Sequence, residues 1–583
     1  MSCNVKLQQL KAIVGILLVC ILTFALEVCG QGLYNLSIIE SNGQPFKNIV
    51  EYQKSFKDSL LRHKQLQWVL SEMYDKGYLA ASFDSVHYLE HNLNAVITKG
   101  GVYKWATINA GHIDEGILSS IGFRDKLFYK KPFNHDGVRG LQEALLIYCE
   151  NHGYPFAVVK LDSVEIESDE ISAVLTLEKN KEIKIDSIEI KGDANISMVY
   201  LSNFIGIAPG DLYNERLVRD IHLRIKELRF LKEKSPLQVE FSEKSTKLVL
   251  DLQGKQASQF NGIVGFMPNN KDDGKLLVTG EARLKLLNSL GNGELMDINW
   301  RSLKPRTQDL KSRLVYPFLF SSPFGADVQF TLYKKDTLYI DLISSIGVQY
   351  LLRGGNFLKA FANNKETRLL GEYVSSLPYG NVRSTIYGLG YKSQKLDYLY
   401  NPKKGYALLL ELGAGNKRIK SDPDLDPDSV EHNSTELEGK FALDLFIPLT
   451  NRNVLNLGLS GGYRSSKSMF ENELFRLGGI STLRGFDEES ILASFYSVYT
   501  FEYRYLLEQN SYLFLFFDGS YYENEVAQMK GEDWTDQPIG YGAGISFETK
   551  AGIFNINYAL GQQKGNPPDI KAAKIHFGIV NRF

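Results

Sequence analysis

Ile553-Phe-Asn-Ile-Asn-Tyr558 alternates apolar with polar residues, and the sequence closes on Ile575-His-Phe577-Gly-Ile579-Val-Asn-Arg-Phe583. In an extended strand successive side chains point to opposite faces, so Phe554, Ile556 and Tyr558 share one face and Asn555 and Asn557 the other. By the same rule Ile575, Phe577, Ile579 and Phe583 lie together. Working back from this end, Glu411 to Gly413, Leu443 to Phe446 and Leu455 to Leu459 keep the two-residue period, and helical periodicity is lost after about Ser258. Counting such segments gives about sixteen strands, an even number as membrane barrels of one bacterial chain require. The available length allows about 20 residues per strand plus connection, enough for strands that cross a bilayer. Mean hydropathy is only -0.20, which excludes a bundle of membrane helices. It suits a barrel, where every second residue faces a polar lumen. The competing reading, a soluble β-sandwich, rarely needs so many strands. The fold expected for 257–583 is a transmembrane antiparallel β-barrel.

Loop lengths support this reading. In such a barrel every second connection is a short inner turn. Asn288–Gly293, Ser321–Gly325, Asn401–Gly405, Pro448–Asn453, Glu508–Ser511 and Thr549–Gly552 are short, and many carry Gly, Pro or Asn. The alternate connections include long polar stretches at Ala362–Asn381, Asn416–Ser434, Met469–Leu492 and Glu523–Pro538. The acidic stretch Ser421-Asp-Pro-Asp-Leu-Asp-Pro-Asp-Ser429 then falls in an outer loop. Its two prolines and missing central glycine make it a solvated loop rather than a calcium loop of EF-hand geometry. A terminal aromatic at Phe583, with Phe577 on the same strand face, resembles the recognition signal of outer-membrane barrels.

The N-terminus directs the chain to export. Lys6 and Lys11 precede or border an apolar run from Ile13 to Leu26, with Val28 and Gly30 before Gln31, the pattern of a signal peptide over 1–30. The run is shorter than the roughly 20 residues a spanning helix needs. Lipid attachment at Cys29 is an alternative, although Glu27 and Val28 are poor neighbours for it. Of the four cysteines only Cys149 lies beyond this segment, so no internal disulfide is expected. The net charge of -2 offers no basic field for nucleic acid. The nine histidines show no metal-ligand spacing, and no nucleophile elbow or phosphate loop occurs, so neither an enzyme nor a bound metal or cofactor is expected.

Between Gln31 and about Lys255 a strand–helices–strand–strand order recurs at roughly 75-residue intervals, the mark of an array of similar small domains. The units read as 31–99, 100–179 and 180–256. In the first, Leu36–Glu40 opens, Leu66, Val69, Leu70 and Met73 form a helix face, and Gly77-Tyr78 stops the helix. The second opens at Lys104–Ala110, uses Val138, Leu141, Leu145 and Ile147–Tyr148, and stops at Gly153-Tyr154. The third opens at Ile183–Lys191 and contains Gly210-Asp-Leu-Tyr-Asn214 before a helix face of Leu217, Ile221, Ile225 and Leu228. This last unit resembles a POTRA domain, and the other two resemble it in element order. Each unit has sheet edges with free N–H and C=O groups, to which an extended peptide of almost any sequence can add.

The most specific stretch is Phe475-Arg-Leu-Gly-Gly-Ile-Ser-Thr-Leu-Arg-Gly-Phe486, which the strand count places in the sixth outer loop, between strands eleven and twelve. Its Leu483-Arg-Gly-Phe486 end, preceded by Gly478-Gly479, resembles the signature of the BamA/TamA (bacterial surface antigen) family of outer-membrane proteins. Glu502 and Asp518, on strands twelve and thirteen, stand where that family has lumen acids. A guanidinium with its fork of donors can bridge two carboxylates, Gly485 permits a sharp turn, and Phe486 can pack on the barrel wall. The expectation is a lumen tether of Arg484, Gly485, Phe486, Glu502 and Asp518.

The resemblance further implies a weak seam between the last strand and a first strand around Gln259–Phe266, which carries Gly262 and Gly265. It implies an outer-membrane location with the arm in the periplasm, and a role in assembling or translocating other proteins. The implied partners are the outer-membrane bilayer, unfolded outer-membrane or secreted clients, and an inner-membrane or lipoprotein partner. The main housekeeping member of the family usually carries five POTRA domains; three point to a TamA-like accessory paralogue. The alternatives are a dedicated secretion or lipid-transport pore of the same superfamily, or a passive channel.

Overall fold

The computed structural model describes residues 33–47, 49–268, 276–302, 306–370, 378–398, 401–420, 433–549, 552–565 and 573–582. The segment read as a signal peptide, with Cys29, the acidic stretch 421–429 and Phe583 lie outside them. No helix among the described residues is long and apolar enough to cross a membrane.

The chain divides into two compact units. The first holds two α+β modules. In the earlier one, Tyr34–Glu40 pairs in parallel with Asn92–Thr98, which pairs antiparallel with Ser82–Leu89. Helix Ser59–Asp75, capped by the Asp58 carboxylate accepting from Leu60 N–H, covers the sheet with Leu66, Val69 and Met73. The next module repeats the plan: Lys104–Asn109 runs parallel to Glu170–Glu178, which is antiparallel to Val158–Glu167. Its helix His135–Glu150 buries Val138, Leu141, Leu145 and Cys149. Both long helices end alike. Tyr78 N–H donates to Met73 C=O (3.0 Å) and Tyr154 N–H to Cys149 C=O (2.9 Å), with Gly77 and Gly153 at φ +89° and +92°. This is the glycine C-cap that the repeated Gly-Tyr dipeptide encodes.

The second unit holds the third module and the barrel. Ser187–Gly192 is parallel to Thr246–Gly254, which is antiparallel to Leu231–Phe241. Helices Met198–Ile205 and Glu215–Glu227 lie on this sheet with Leu201, Ile205, Val218, Ile221 and Ile225 buried. The three modules thus share one strand order, first–last–penultimate.

Among the described residues the barrel sheet closes on itself through sixteen long antiparallel strands, with a two-residue strand, Thr535–Asp536, beside the thirteenth. Alternation separates lipid from lumen. On strand twelve, Phe495–Leu506, the side chains of Tyr499, Phe501, Tyr503 and Tyr505 are exposed, whereas Glu502 is buried. The Ala362–Asn381 stretch read as a loop is a strand as far as Leu369. Its run misled because polar residues occupy both faces of the strand: inward, Thr367 Oγ1 donates to Asp341 (2.6 Å) and Lys365 Nζ to Asn472 C=O (2.9 Å), while on the other face Glu366 accepts from Lys420 Nζ (2.8 Å). Likewise the strands flanking the acidic loop reach Ile419 and start at Asn433. An inner turn at 352–356 was not anticipated; Leu352 N–H donates there to Asn356 C=O.

Closure is uneven. Among the described residues strand one, Gln259–Pro268, makes ten register pairs with strand two but only Gln259–Arg582 and Phe260–Asn581 with strand sixteen. Strand sixteen, Lys574–Arg582, pairs with strand fifteen from Lys574 to Val580. Gly262 and Gly265 of strand one and Phe577 of strand sixteen lie in the stretches with no partner across the seam among the described residues.

Candidate functional site

The sixth outer loop turns into the barrel. Two short strands, Phe475–Leu477 and Ile491–Ala493, pair as its stem. Leu477, Leu483, Ile491 and Ala493 are buried against Val498 of strand twelve, with Phe486 packed beside them. Strand register then decides what the tip meets. Thr500 pairs with Asp518 and Glu502 with Phe516, so Glu502 and Asp518 sit diagonally on one lumen-facing patch of strands twelve and thirteen.

Arg484 lies over this patch. Its Nε and Nη2 donate to the two oxygens of Asp518, each at 2.7 Å, and Nη1 donates to Glu502 Oε2 at 2.5 Å. Thr500 Oγ1 supplies Asp518 with a further donor (2.9 Å), and Arg504 Nε binds the other oxygen of Glu502 (2.8 Å). The guanidinium stacks on Phe516, 3.7 Å from its centroid. Side-chain exposures of 12% for Arg484, 8% for Glu502 and 2% for Asp518 make this a buried network. Such pairs contribute little net stability relative to an apolar core but are costly to break, because one charge is left without a partner.

The loop is held at a second place. Arg476, on its stem, stacks on Tyr333 at 3.7 Å and donates to Tyr339 OH at 2.9 Å, with Asp341 at 3.5 Å. On the other stem arm Glu489 accepts from Arg301 Nη2 and from Tyr333 OH, both at 3.1 Å. Those partners belong to strands three, five and six: Leu295–Ser302, Phe324–Lys335 and Tyr339–Leu351. In a ring of sixteen they lie about half the circumference from strands twelve and thirteen. One loop therefore bridges opposite walls and crosses the lumen.

Residues 299–583 match the Omp85 superfamily domain. The chain belongs to the Omp85 superfamily. Among solved structures it is similar in fold to CdiB from Acinetobacter baumannii (12% identity, TM-score 0.54) and CdiB from Escherichia coli (14%, 0.51). Each likeness covers 90% of this chain and 98% of the other. A BamA from Haemophilus ducreyi lacking POTRA domains 1–3 aligns at 13% identity and TM-score 0.47, over 83% of this chain and all of that one. No curated protein sequence matches. The superfamily handles protein clients in outer-membrane insertion or translocation, and this member is an outer-membrane β-barrel protein of that general class.

Within this Omp85 barrel the loop tip fits because two glycines leave room for it. Gly485 has φ +93°, and a Cβ there would lie 2.6 Å from Leu560 C=O on strand fifteen. Gly540, on strand fourteen, faces the Arg484 backbone so closely that a Cβ would lie 1.9 Å from its carbonyl oxygen. Gly540→Ala is therefore expected to lift the tip from the wall. Limited proteolysis of the folded protein would then cut within 478–490, where the wild type resists; equal resistance would mean that the wall adapts.

Sequence reading missed Arg476, Glu489 and Gly540. The first two border the motif and carry charge on a loop that must enter a lumen, a usable signal. Gly540 is one of several strand glycines, and its sequence has no mark of what approaches it.

Proposed function

We propose that this chain is an accessory, TamA-like assembly factor whose arm lies in the periplasm, receives unfolded clients by strand addition and passes them to the bilayer through the barrel seam. The observation that carries this reading is the seam. Strand one and strand sixteen share two register pairs at one end, and the rest of each faces no partner across it among the described residues. Free backbone groups at membrane depth are satisfied by pairing, and an incoming client strand supplies the pairs. On the arm the edge strand Val158–Glu167 exposes Val158, Val164 and Ile166 beside its free backbone groups, a surface suited to an extended apolar segment. A passive channel is disfavoured by the loop that crosses the lumen.

Quantitative proteomics of purified outer membranes after depletion of the protein tests this. Several barrel proteins should fall together while lipoproteins hold steady. An unchanged outer-membrane proteome would overturn the assembly role and leave dedicated secretion or lipid transport.

A further inference from the structure

The third α+β module is fastened to the arm-side turns of the barrel. Ser197 N–H donates to Gly291 C=O (2.6 Å), Asn288 Nδ2 to Asn195 C=O (2.9 Å), and Tyr200 packs edge-on against Phe318 (5.4 Å). Beside this joint, helix Glu215–Glu227 and the turn Leu351–Gly354 enclose a cavity of about 310 Å³. Four charged side chains line it: Asp220, Arg224 and Glu227 from the helix and Arg353 from the turn. None of the four forms an ion pair among the described residues, although two are cationic and two anionic. Arg224 is 8% exposed; its Nη1 donates to Phe204 C=O (2.6 Å), while its buried Nη2 has no partner among the described residues. Burial, and then the nearby Arg353, weaken its hold on its proton, and Glu227 and Asp220 offset this only in part.

The level of the cavity is set by the strands that lead to it. Phe324 and Tyr350 are register partners on strands five and six, both on the outward face, with rings 5.4 Å apart and exposures of 46% and 42%. Outward aromatics at the end of barrel strands mark the boundary between acyl chains and headgroups. Arg353 follows Tyr350 by three residues, roughly 10 Å of extended chain, and Leu352 between them is also exposed on the outward side. The cavity mouth thus stands at headgroup depth, below an apolar strip.

We propose that this cavity binds the headgroup of one phosphoethanolamine lipid of the arm-side leaflet. The phosphate lies between Arg224 Nη2 and Arg353, and the ammonium against Glu227 and Asp220. The acyl chains run up the strip of Leu352, Tyr350 and Phe324. A zwitterion matches a site of two cations and two carboxylates, where an anion alone would face both acids. The lipid then straps the joint between the third module and the barrel, touching both. This inference stands independently of the proposed client route.

The test uses the full chain reconstituted in vesicles of equal parts phosphatidylethanolamine and phosphatidylglycerol, gently extracted, with retained lipids counted by native mass spectrometry. Wild type should retain one phosphatidylethanolamine. Arg353→Gln, on an exposed turn outside the core, should lower that retention about tenfold or more, the usual effect of losing a charge-assisted bond. Glu227→Gln should shift retention towards phosphatidylglycerol. Retention unchanged in both variants overturns the site. So does displacement of the lipid by inorganic phosphate alone, which would mark a free-anion site. Arg224 is left intact because it also caps the helix ending at Ile205.

Discussion

Arg484→Ala is expected to leave the barrel markedly easier to unfold and the sixth loop undocked. The substitution removes three charge-assisted bonds from two buried carboxylates, leaving Glu502 with Arg504 and Asp518 with Thr500 and the backbone N–H of residue 484. Losing one partner of a buried pair costs about 3–5 kcal/mol, large against the marginal stability of folded proteins. Heat-modifiability on semi-native gels, with loop proteolysis beside it, measures the effect. Arg484→Lys should recover only part of it, because an ammonium keeps the charge but cannot reach both oxygens of Asp518 together. Asp518→Asn combined with Arg484→Ala should be less than additive, since the second change removes a charge the first has already orphaned. If Arg484→Ala melts and assembles clients like wild type, the tether is not functional and the network is only a lumen filler.

Arg476 provides the comparison. It holds the stem to the opposite wall through Tyr333, Tyr339 and Asp341. Tyr333 and Tyr339 remain hydrogen-bonding groups of modest polarity after its removal, so fewer charges are stranded. Undocking the tip should therefore perturb more than loosening the stem.

These features were unequally legible in the sequence. Alternation gave the strands wherever lumen and lipid residues differ in polarity, as from Tyr499 to Tyr505. It failed at Asn363 to Thr367, because both faces of the strand are polar there and no alternation marks it. In the third module Leu217 was read as core, whereas Val218 is buried and Leu217 is half-exposed. Leu217 and Val218 lie four and three residues before the buried Ile221, so both flank its face and periodicity alone does not choose between them. Arg484, Glu502 and Asp518 could be named because a motif and a strand count placed them; that they converge depends on the register Thr500–Asp518, which pairing geometry alone decides. The second anchor needed the whole ring. Arg301 and Glu489 are far apart in sequence, and nothing local joins them. The seam was expected from the family resemblance, yet its looseness resides in register: among the described residues strand sixteen meets strand one only at its final residues.

That register sets the second large prediction. Joining strand one to strand sixteen with Gln259→Cys and Arg582→Cys, in a Cys149→Ser background, should reduce client assembly to the level of depleted cells under oxidising conditions, with recovery on reduction. The pair is suited to a disulfide, since residues facing each other in antiparallel strands have Cα atoms about 4.5–5.5 Å apart, within the range a disulfide spans. Continuing the same register would set Gly262 against Ile579 and Val264 against Phe577. Those pairs are not formed among the described residues, so Gly262→Cys with Ile579→Cys should cross-link poorly unless the seam zips shut. An unsatisfied backbone group in hydrocarbon costs several kcal/mol, which gives the open stretch a strong tendency to gain a partner strand. Either the two edges close on each other or a client occupies the gap. Efficient cross-linking at Gly262 and Ile579 in idle membranes, lost when clients accumulate, would identify the client as the competitor. A locked seam that assembles clients at the wild-type rate would instead exclude strand exchange at this edge, and the two register pairs would then be a static closure.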